Sequence, residues 1–80
     1  MAVVVMSSGL LAYTGGEERL RIDAKRVKEL IDALVTRWPA LEEPLSQMAV
    51  AIDGEIHGSA LFRPLKPDSE VHFVPKLGGG

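Results

Sequence analysis

The chain closes with three consecutive glycines, Gly78, Gly79 and Gly80, and the carboxylate of Gly80 is the first candidate for chemistry. Because glycine has no Cβ, such a segment can enter a narrow channel that any side chain would block. A terminal Gly-Gly can therefore present its carboxyl group to an enzyme as a reagent. The alternative is a passive tail, because glycine-rich ends also serve as linkers or frayed termini.

Other residue types that carry chemistry are sparse. The chain has no cysteine, which excludes disulfides, thiolate metal sites and persulfide chemistry on its own side chains. His57 and His72 stand far apart in sequence without neighbouring ligands, so no metal site is expected. Ser7-Ser8-Gly9 has no base beside it and predicts a turn. Gly15-Gly16 is not followed by the Lys-Ser or Lys-Thr of a phosphate-binding loop.

Composition predicts one small folded domain. Of 80 residues, 46% are hydrophobic and 25% charged, which argues against disorder. The net charge of −2 gives no basic footprint, so neither nucleic acid nor a membrane is an expected partner. From residue 41 onward six acids face three bases, which favours either a basic partner surface or a solvated acidic one. The apolar run at residues 2–6 is too short for a membrane span or signal peptide, so a cytoplasmic protein is expected.

Two strands are predicted in the first part of the chain. The β-branched run at residues 2–6 is typical of a strand buried on both faces, and the alternation at residues 18–23 is typical of a half-exposed strand. The connection between them predicts an antiparallel pair. Within that connection, residues 10–13 predict either a helical turn or a loop anchored by apolar side chains.

A helix is predicted over residues 24–38. Its apolar residues recur every three or four positions and form one face, which predicts an amphipathic helix packed on a sheet. Asp23 is the expected N-cap, and Pro39 ends the helix because proline cannot continue it. The next residues, 40–45, predict a connection with room for one short helical turn.

The remaining elements are strands. Residues 48–52 form a third strand, Asp53-Gly54 fits the type I′ turn of a hairpin, residues 55–57 run back, and residues 70–75 form the last strand. This order predicts an α+β fold with a mixed sheet and one main helix across one face. If the first and last strands are neighbours in the middle of the sheet, the fold is a ubiquitin-like β-grasp. We expect a domain over residues 1–75 and a flexible glycine-rich tail over residues 76–80.

Two segments of the chain resemble a known family. Residues 50–55 resemble a V-x-x-N/D-G-E hairpin, and residues 65–80 resemble the ending L-x-x-G-D-E-V-x-F-x-P-P-V-x-G-G. Both are typical of MoaD/ThiS-type ubiquitin-like sulfur carriers, which include the small subunit of molybdopterin synthase. The chain departs from this pattern at Asp68-Ser69 and at Lys76. It also departs at Leu10 and Leu11, where molybdopterin-type members often carry a partner-binding arginine.

The resemblance implies a β-grasp protein that is a co-substrate and not an enzyme on its own. An E1-like adenylyltransferase of the MoeB/ThiF type would use ATP to adenylate Gly80, and a sulfur donor would then leave a thiocarboxylate there. Gly79 would pass the narrowest part of the partner's channel. No cofactor is expected to bind. From Pro75 to Gly80 an extended chain spans at most about 20 Å, enough to reach a buried active site.

Further residues are expected to contact the partner proteins: Val74, Pro75, Leu77, Gly78, Leu10 and Leu11. Val74 and the two leucines would form an exposed apolar docking patch, although each of them also suits a core position. Molybdopterin synthesis, with a MoaE-type large subunit, is the expected acceptor pathway. Thiamine, tRNA thiolation and cysteine synthesis remain open, as does conjugation to lysines as a ubiquitin-like modifier.

Overall fold

The computed structural model describes residues 1–57 and 61–75, which form a five-stranded mixed sheet with helices on one face. Strand β1 (Ala2–Val5) and strand β2 (Arg19–Ile22) precede helix α1 (Val27–Arg37) and helix α2 (Glu42–Ser46). Strands β3 (Met48–Ile52), β4 (Glu55–His57) and β5 (Glu70–Pro75) follow. Single 3₁₀ turns cover residues 8–10 and 39–41. In the described part of the chain, no helix combines the length and apolarity needed to cross a membrane.

The sheet order is β2-β1-β5-β3-β4, which confirms the predicted β-grasp. Strand β5 pairs in parallel with β1 and antiparallel with β3, so the first and last strands lie side by side in the middle. The antiparallel pairing of β1 with β2 is also as predicted. Each residue of β5 therefore has a neighbour on at least one side of the sheet, and the strand is fixed along its length.

The core lies between the sheet and α1. Apolar side chains alternate along each central strand, and every second one turns toward the helix. Val71 and Phe73 from β5 belong to the same buried cluster as Leu30 and Leu34 from α1, and all four are at most 2% exposed. The other buried members of this cluster are Ala2, Val4, Met6, Leu10, Leu20, Ala24, Val27, Leu41, Leu45 and Val50.

The long connection between β1 and β2 anchors itself in this core. Leu10 closes a 3₁₀ turn and is only 1% exposed, and Leu11 is half-buried against the same cluster. Thr14 is also buried, and its hydroxyl donates to the carbonyl of Glu17 at 2.9 Å. The expectation of an exposed docking role for Leu10 is therefore wrong, because its side chain fills the core.

Helix α1 begins later than predicted, and Asp23 is not its N-cap. The N-cap is Arg26, whose side chain makes no capping bond. The amides of Val27 and Lys28 donate instead to the carbonyls of Arg63 and Leu61, at 3.1 and 2.8 Å. Because a distant segment satisfies the first free amides, the helix does not need a local polar cap.

The hairpin between β3 and β4 turns as predicted. Asp53 has a φ of 49° and Gly54 a φ of 86°, the two positive values that a type I′ turn requires. The Asp53 carboxylate also accepts a hydrogen bond from the backbone amide of Glu70 at 2.9 Å, and its own amide donates to the Glu70 carbonyl. The turn therefore holds the start of β5 in register.

Candidate functional site

The candidate site begins where β5 ends. The last two residues of β5 pair with the first two of β3, Pro75 opposite Met48 and Val74 opposite Ala49. The chain therefore leaves the sheet from its centre, and Pro75 is exposed at the rim. Four predicted site residues, Leu77, Gly78, Gly79 and Gly80, lie outside the described residues, so their roles stay predictions.

The sheet face away from α1, which we call the open face, carries the alternate side chains of the strands that do not point into the core. Val3 and Val5 of β1 and Val74 of β5 are half-buried there. Two small residues of β3, Ala49 and Ala51, lie on the same face and are shielded by their neighbours. Ile56 of β4 pairs with Ala51 and is 62% exposed. An apolar surface thus extends from the end of β5 to the edge strand β4.

The structure separates the residues of the predicted docking patch. Val74 lies on the open face beside the point where the chain leaves the sheet, as a docking role requires. Leu10 is in the core on the other side of the sheet, and Leu11 packs against that core. The apolar neighbours of Val74 are instead Ala49, directly opposite on β3, and more distantly Val5 and Ile56.

A polar chain of three residues crosses this face. Glu70 accepts a hydrogen bond from Arg19 Nη2 at 3.3 Å, and its other oxygen lies 2.8 Å from His72 Nε2. The contact with His72, and secondarily that with Arg19, lowers the pKa of Glu70 below its ordinary value of 4.5. Because the carboxylate is exposed, this network orders the side chains more than it stabilises the fold.

Within residues 1–57 and 61–75, no group of three or more His, Asp or Glu side chains is arranged to hold a metal ion. Every buried side-chain nitrogen or oxygen described there has a hydrogen-bond partner. The described open face therefore offers apolar contact and a few fixed charges beside an exit point for the chain.

Comparison with known protein families identifies relatives of this chain. The model of the ThiS family matches residues 10–80, which is most of the chain and includes its glycine end. This protein belongs to the ThiS family. Its relatives are the MoaD/ThiS-type ubiquitin-like sulfur carriers, small partner proteins that are not enzymes themselves. No curated protein sequence matches the chain.

Three solved structures illustrate the fold that this chain shares with known proteins. The Amycolatopsis orientalis BexX/CysO complex contains a chain with a TM-score of 0.85 and 21% identity, with all of both chains covered. The small archaeal modifier protein 1 of Methanosarcina acetivorans has a TM-score of 0.81 and 20% identity. The match covers 99% of this chain and 95% of that one. A chain in the complex of molybdopterin-converting factor subunits 1 and 2 from Helicobacter pylori has a TM-score of 0.69 and 26% identity. The match covers 99% of this chain and 97% of that one.

Sequence reasoning missed two parts of this site. The contact of Arg19 with Glu70 joins residues that are distant in sequence, and β1 lies between their strands. The sequence predicts a strand for Ile56 but no place for it on the open face. Its place beside Ala51 follows from the two-residue hairpin and the alternation of β3, so the signal was present in the sequence.

Proposed function

We propose that this protein carries sulfur as a thiocarboxylate on Gly80 and donates it to the synthesis of molybdopterin. The observation that carries the proposal is the family match, which runs through β5 to the last glycine. An E1-like adenylyltransferase of the MoeB/ThiF type would activate the chain with ATP. A MoaE-type large subunit would then receive it as the small subunit of molybdopterin synthase.

The chemistry needs an activated C-terminus. The α-carboxylate, with an ordinary pKa of about 3.3 to 3.7, is an anion at neutral pH and resists nucleophiles. Its oxygen attacks the α-phosphorus of ATP, pyrophosphate leaves, and Gly80 becomes an acyl-adenylate. A sulfide-level donor then attacks the acyl carbon and AMP leaves, which forms the thiocarboxylate. The chain supplies the acyl group and the docking surface, and the partner supplies the catalytic groups.

The described structure supports this division of labour. Strand β5 is held on both sides by β1 and β3, so the point where the chain leaves the sheet is fixed relative to the open face. Val74 and Ile56 present apolar area on that face, and Arg19, Glu70 and His72 present polar groups. A partner that covers the face would find the end of β5 at a defined place.

Intact-mass spectrometry tests the sulfur-carrier step. The protein is incubated with ATP, a MoeB/ThiF-type enzyme and a sulfide donor, and the expected product has one oxygen replaced by sulfur. Gly79→Ala should abolish this product, because a Cβ next to the reacting residue blocks the channel. The matched control Gly78→Ala should retain it, because this glycine is expected to be permissive.

A product with the mass of the unmodified chain under all conditions would overturn the proposal. Equal product from Gly79→Ala and Gly78→Ala would overturn the steric role of Gly79 and leave the carrier function standing. One residue added after Gly80 should also abolish the product, because the carboxylate would be displaced from the reacting position.

The acceptor requires its own experiment. The complex of molybdopterin-converting factor subunits from Helicobacter pylori contains a chain that is 26% identical to this one, which favours molybdopterin. The thiocarboxylated protein should bind a MoaE-type subunit and transfer its sulfur to the pterin precursor in that complex. Transfer to a thiamine, tRNA or cysteine pathway instead would keep the carrier function and overturn the choice of acceptor.

A second candidate is conjugation to other proteins as a modifier. It is favoured by the structural likeness to small archaeal modifier protein 1, which is named for that role. Both functions share the activated Gly80, and they differ in the nucleophile that attacks it. A Gly-Gly remnant on lysines of other proteins, found by peptide mass spectrometry and lost when Gly80 is deleted, would establish this candidate.

A further inference from the structure

A groove lies on the opposite edge of the sheet from β4, between strand β2 and helix α1. Its volume is about 270 Å³. The strand contributes Leu20, Arg21, Ile22 and Asp23, and the helix end contributes Ala33, Leu34, Arg37 and Trp38. Apolar and charged side chains therefore line the groove together.

The edge of β2 beside this groove has backbone groups available for pairing. The Met6 amide donates to the Glu18 carbonyl, and hydrogen-bonded pairs alternate along an antiparallel ladder. Leu20, opposite Val4, and Ile22, opposite Ala2, are therefore the residues bonded to β1. The amide and carbonyl of Arg21 then point away from the sheet, toward the space where a further strand would lie.

One wall of the groove is already assembled. The guanidinium of Arg37 lies over the Trp38 ring, 4.2 Å from its centroid, and its Nη2 is 2.7 Å from Glu17 Oε2. Two contacts thus hold the Arg37 side chain in place at the helix end. Both side chains of this ion pair are exposed, so the contacts position the wall and add little to the stability of the fold.

We propose that this groove binds an extended peptide segment of a partner protein, which adds to the sheet as a strand beside β2. The pattern of β2 fixes the pattern of that segment. Leu20 is buried and Ile22 half-buried on the groove side, so alternate residues of the peptide are apolar and pack toward Leu34 and Trp38. Main-chain bonds to Arg21 supply the rest of the contact.

Charge selects acidic residues for the other positions. Arg19 and Arg21 are exposed and lie on the open face, where residues of an added strand become their cross-strand neighbours. Arg19 already contacts Glu70, and Arg21 makes no ion pair with any described residue. Glu18 and Asp23 flank β2 and would repel acidic residues of the peptide. The preference for acidic peptide residues is therefore limited to the middle of the strand. The partner segment therefore alternates acidic and apolar residues.

This binding is independent of the proposed sulfur transfer. Strand β1 lies between β2 and β5, so a peptide added outside β2 leaves the end of β5 uncovered. A partner held in the groove could therefore stay bound while another enzyme acts at the glycine end. The site does not require Gly80 and is testable with the unmodified protein.

The probe is the synthetic peptide acetyl-Glu-Val-Glu-Ile-Glu-Val-amide, titrated into ¹⁵N-labelled protein and followed by NMR. Shift changes should concentrate at residues 19–23 and 33–38, including the Trp38 indole. The same six residues in the order Val-Val-Ile-Glu-Glu-Glu remove the alternation and should bind at least about tenfold more weakly. The alternating peptide with lysine in place of glutamate should also bind at least about tenfold more weakly.

Two variant pairs test the geometry. Arg21→Pro removes the outward amide without touching the ladder to β1, and it should bind about tenfold more weakly than Arg21→Ala, which loses only the side chain. Ala33→Trp fills the groove and should also weaken binding by about tenfold or more. The control Thr36→Trp, at an exposed position on the same helix outside the groove, should leave binding unchanged. Each variant must first show the native NMR dispersion.

Several results would overturn the proposal. These are equal binding of the alternating and rearranged peptides, equal binding by Arg21→Pro and Arg21→Ala, shifts confined to the open face, and no binding at all. Sedimentation showing that the free protein pairs through β2 would also overturn it, since the edge would then serve a second copy. In the absence of binding, Arg19 and Arg21 act only as charges that protect an edge strand from aggregation.

Discussion

The two faces of the sheet are built from the same strands but carry different side chains. Along β5, Val71 and Phe73 are buried beneath α1, while Glu70, His72 and Val74 alternate with them on the open face. The helix face is packed with large apolar residues, and the open face combines valine, alanine and charge. Strand alternation thus lets one six-residue strand hold the fold together and contribute to the proposed docking surface.

The largest expected effect is on stability, and it separates the two faces. Phe73→Ala should lower the free energy of unfolding by about 3 to 5 kcal/mol, because it opens a cavity in the core. Val74→Ala, one residue further on the open face, should cost about 1 kcal/mol or less. Urea unfolding measures both. Equal losses would show that the open face is as tightly packed as the core.

The second effect is on the sulfur-transfer reaction. Here the open face should matter more than it does for stability. Val74→Asp places a charge in the apolar docking area, so kcat/KM for thiocarboxylate formation should fall by about tenfold or more. The unfolding midpoint should change little. Thr36→Asp, at an exposed position on α1 outside the groove, is the control and should leave the reaction unchanged. An unaffected reaction for Val74→Asp would remove the open face from the proposed function.

A smaller effect concerns the turn that brings Ile56 to the open face. Gly54 has a φ of +86°, so Gly54→Ala should lower the free energy of unfolding by about 1 to 2 kcal/mol through backbone strain alone. Gly9→Ala is the matched control, because Gly9 has no positive φ and no atom near an added Cβ. Thermal unfolding measures the difference. If the two variants melted alike, strain at the turn would be unimportant.

The smallest effect is the acid response of the open face. The pKa of Glu70 is lowered in the folded protein, so its ionised form stabilises the fold above about pH 4.5, and this contribution disappears as the pH falls through the lowered value. Glu70→Gln should therefore lose less stability than the parent protein on acidification. Urea unfolding from about pH 6 down to about pH 3 measures the difference, which added salt should reduce. Parallel curves would mean that the contacts of Glu70 are too weak to matter.

Most of the fold followed from local patterns. The last strand and the Asp53-Gly54 turn lie where alternation and turn chemistry placed them. The central pairing of β1 with β5 did not follow from pattern alone, because parallel partners distant in sequence leave no local signal. The family resemblance supplied that pairing.

The errors share one physical cause, which is contact between segments distant in sequence. Asp23 has the right chemistry for an N-cap, but the carbonyls of Leu61 and Arg63 already satisfy the helix amides. Leu10 follows a turn and suited either an exposed docking patch or a core position, and the loop folds it into the core. The groove beside β2 also went unpredicted, because it forms only when α1 packs across the sheet.

The position of β5 in the middle of the sheet has a consequence for folding. Without this strand the sheet divides into the pair β1 and β2 and the pair β3 and β4, with no backbone bonds between the pairs. Such non-local pairing is slow to form and requires almost the whole chain. A polypeptide interrupted before residue 70 therefore cannot complete its core. Folding itself becomes a check that the chain has been synthesised as far as the strand that precedes the three glycines.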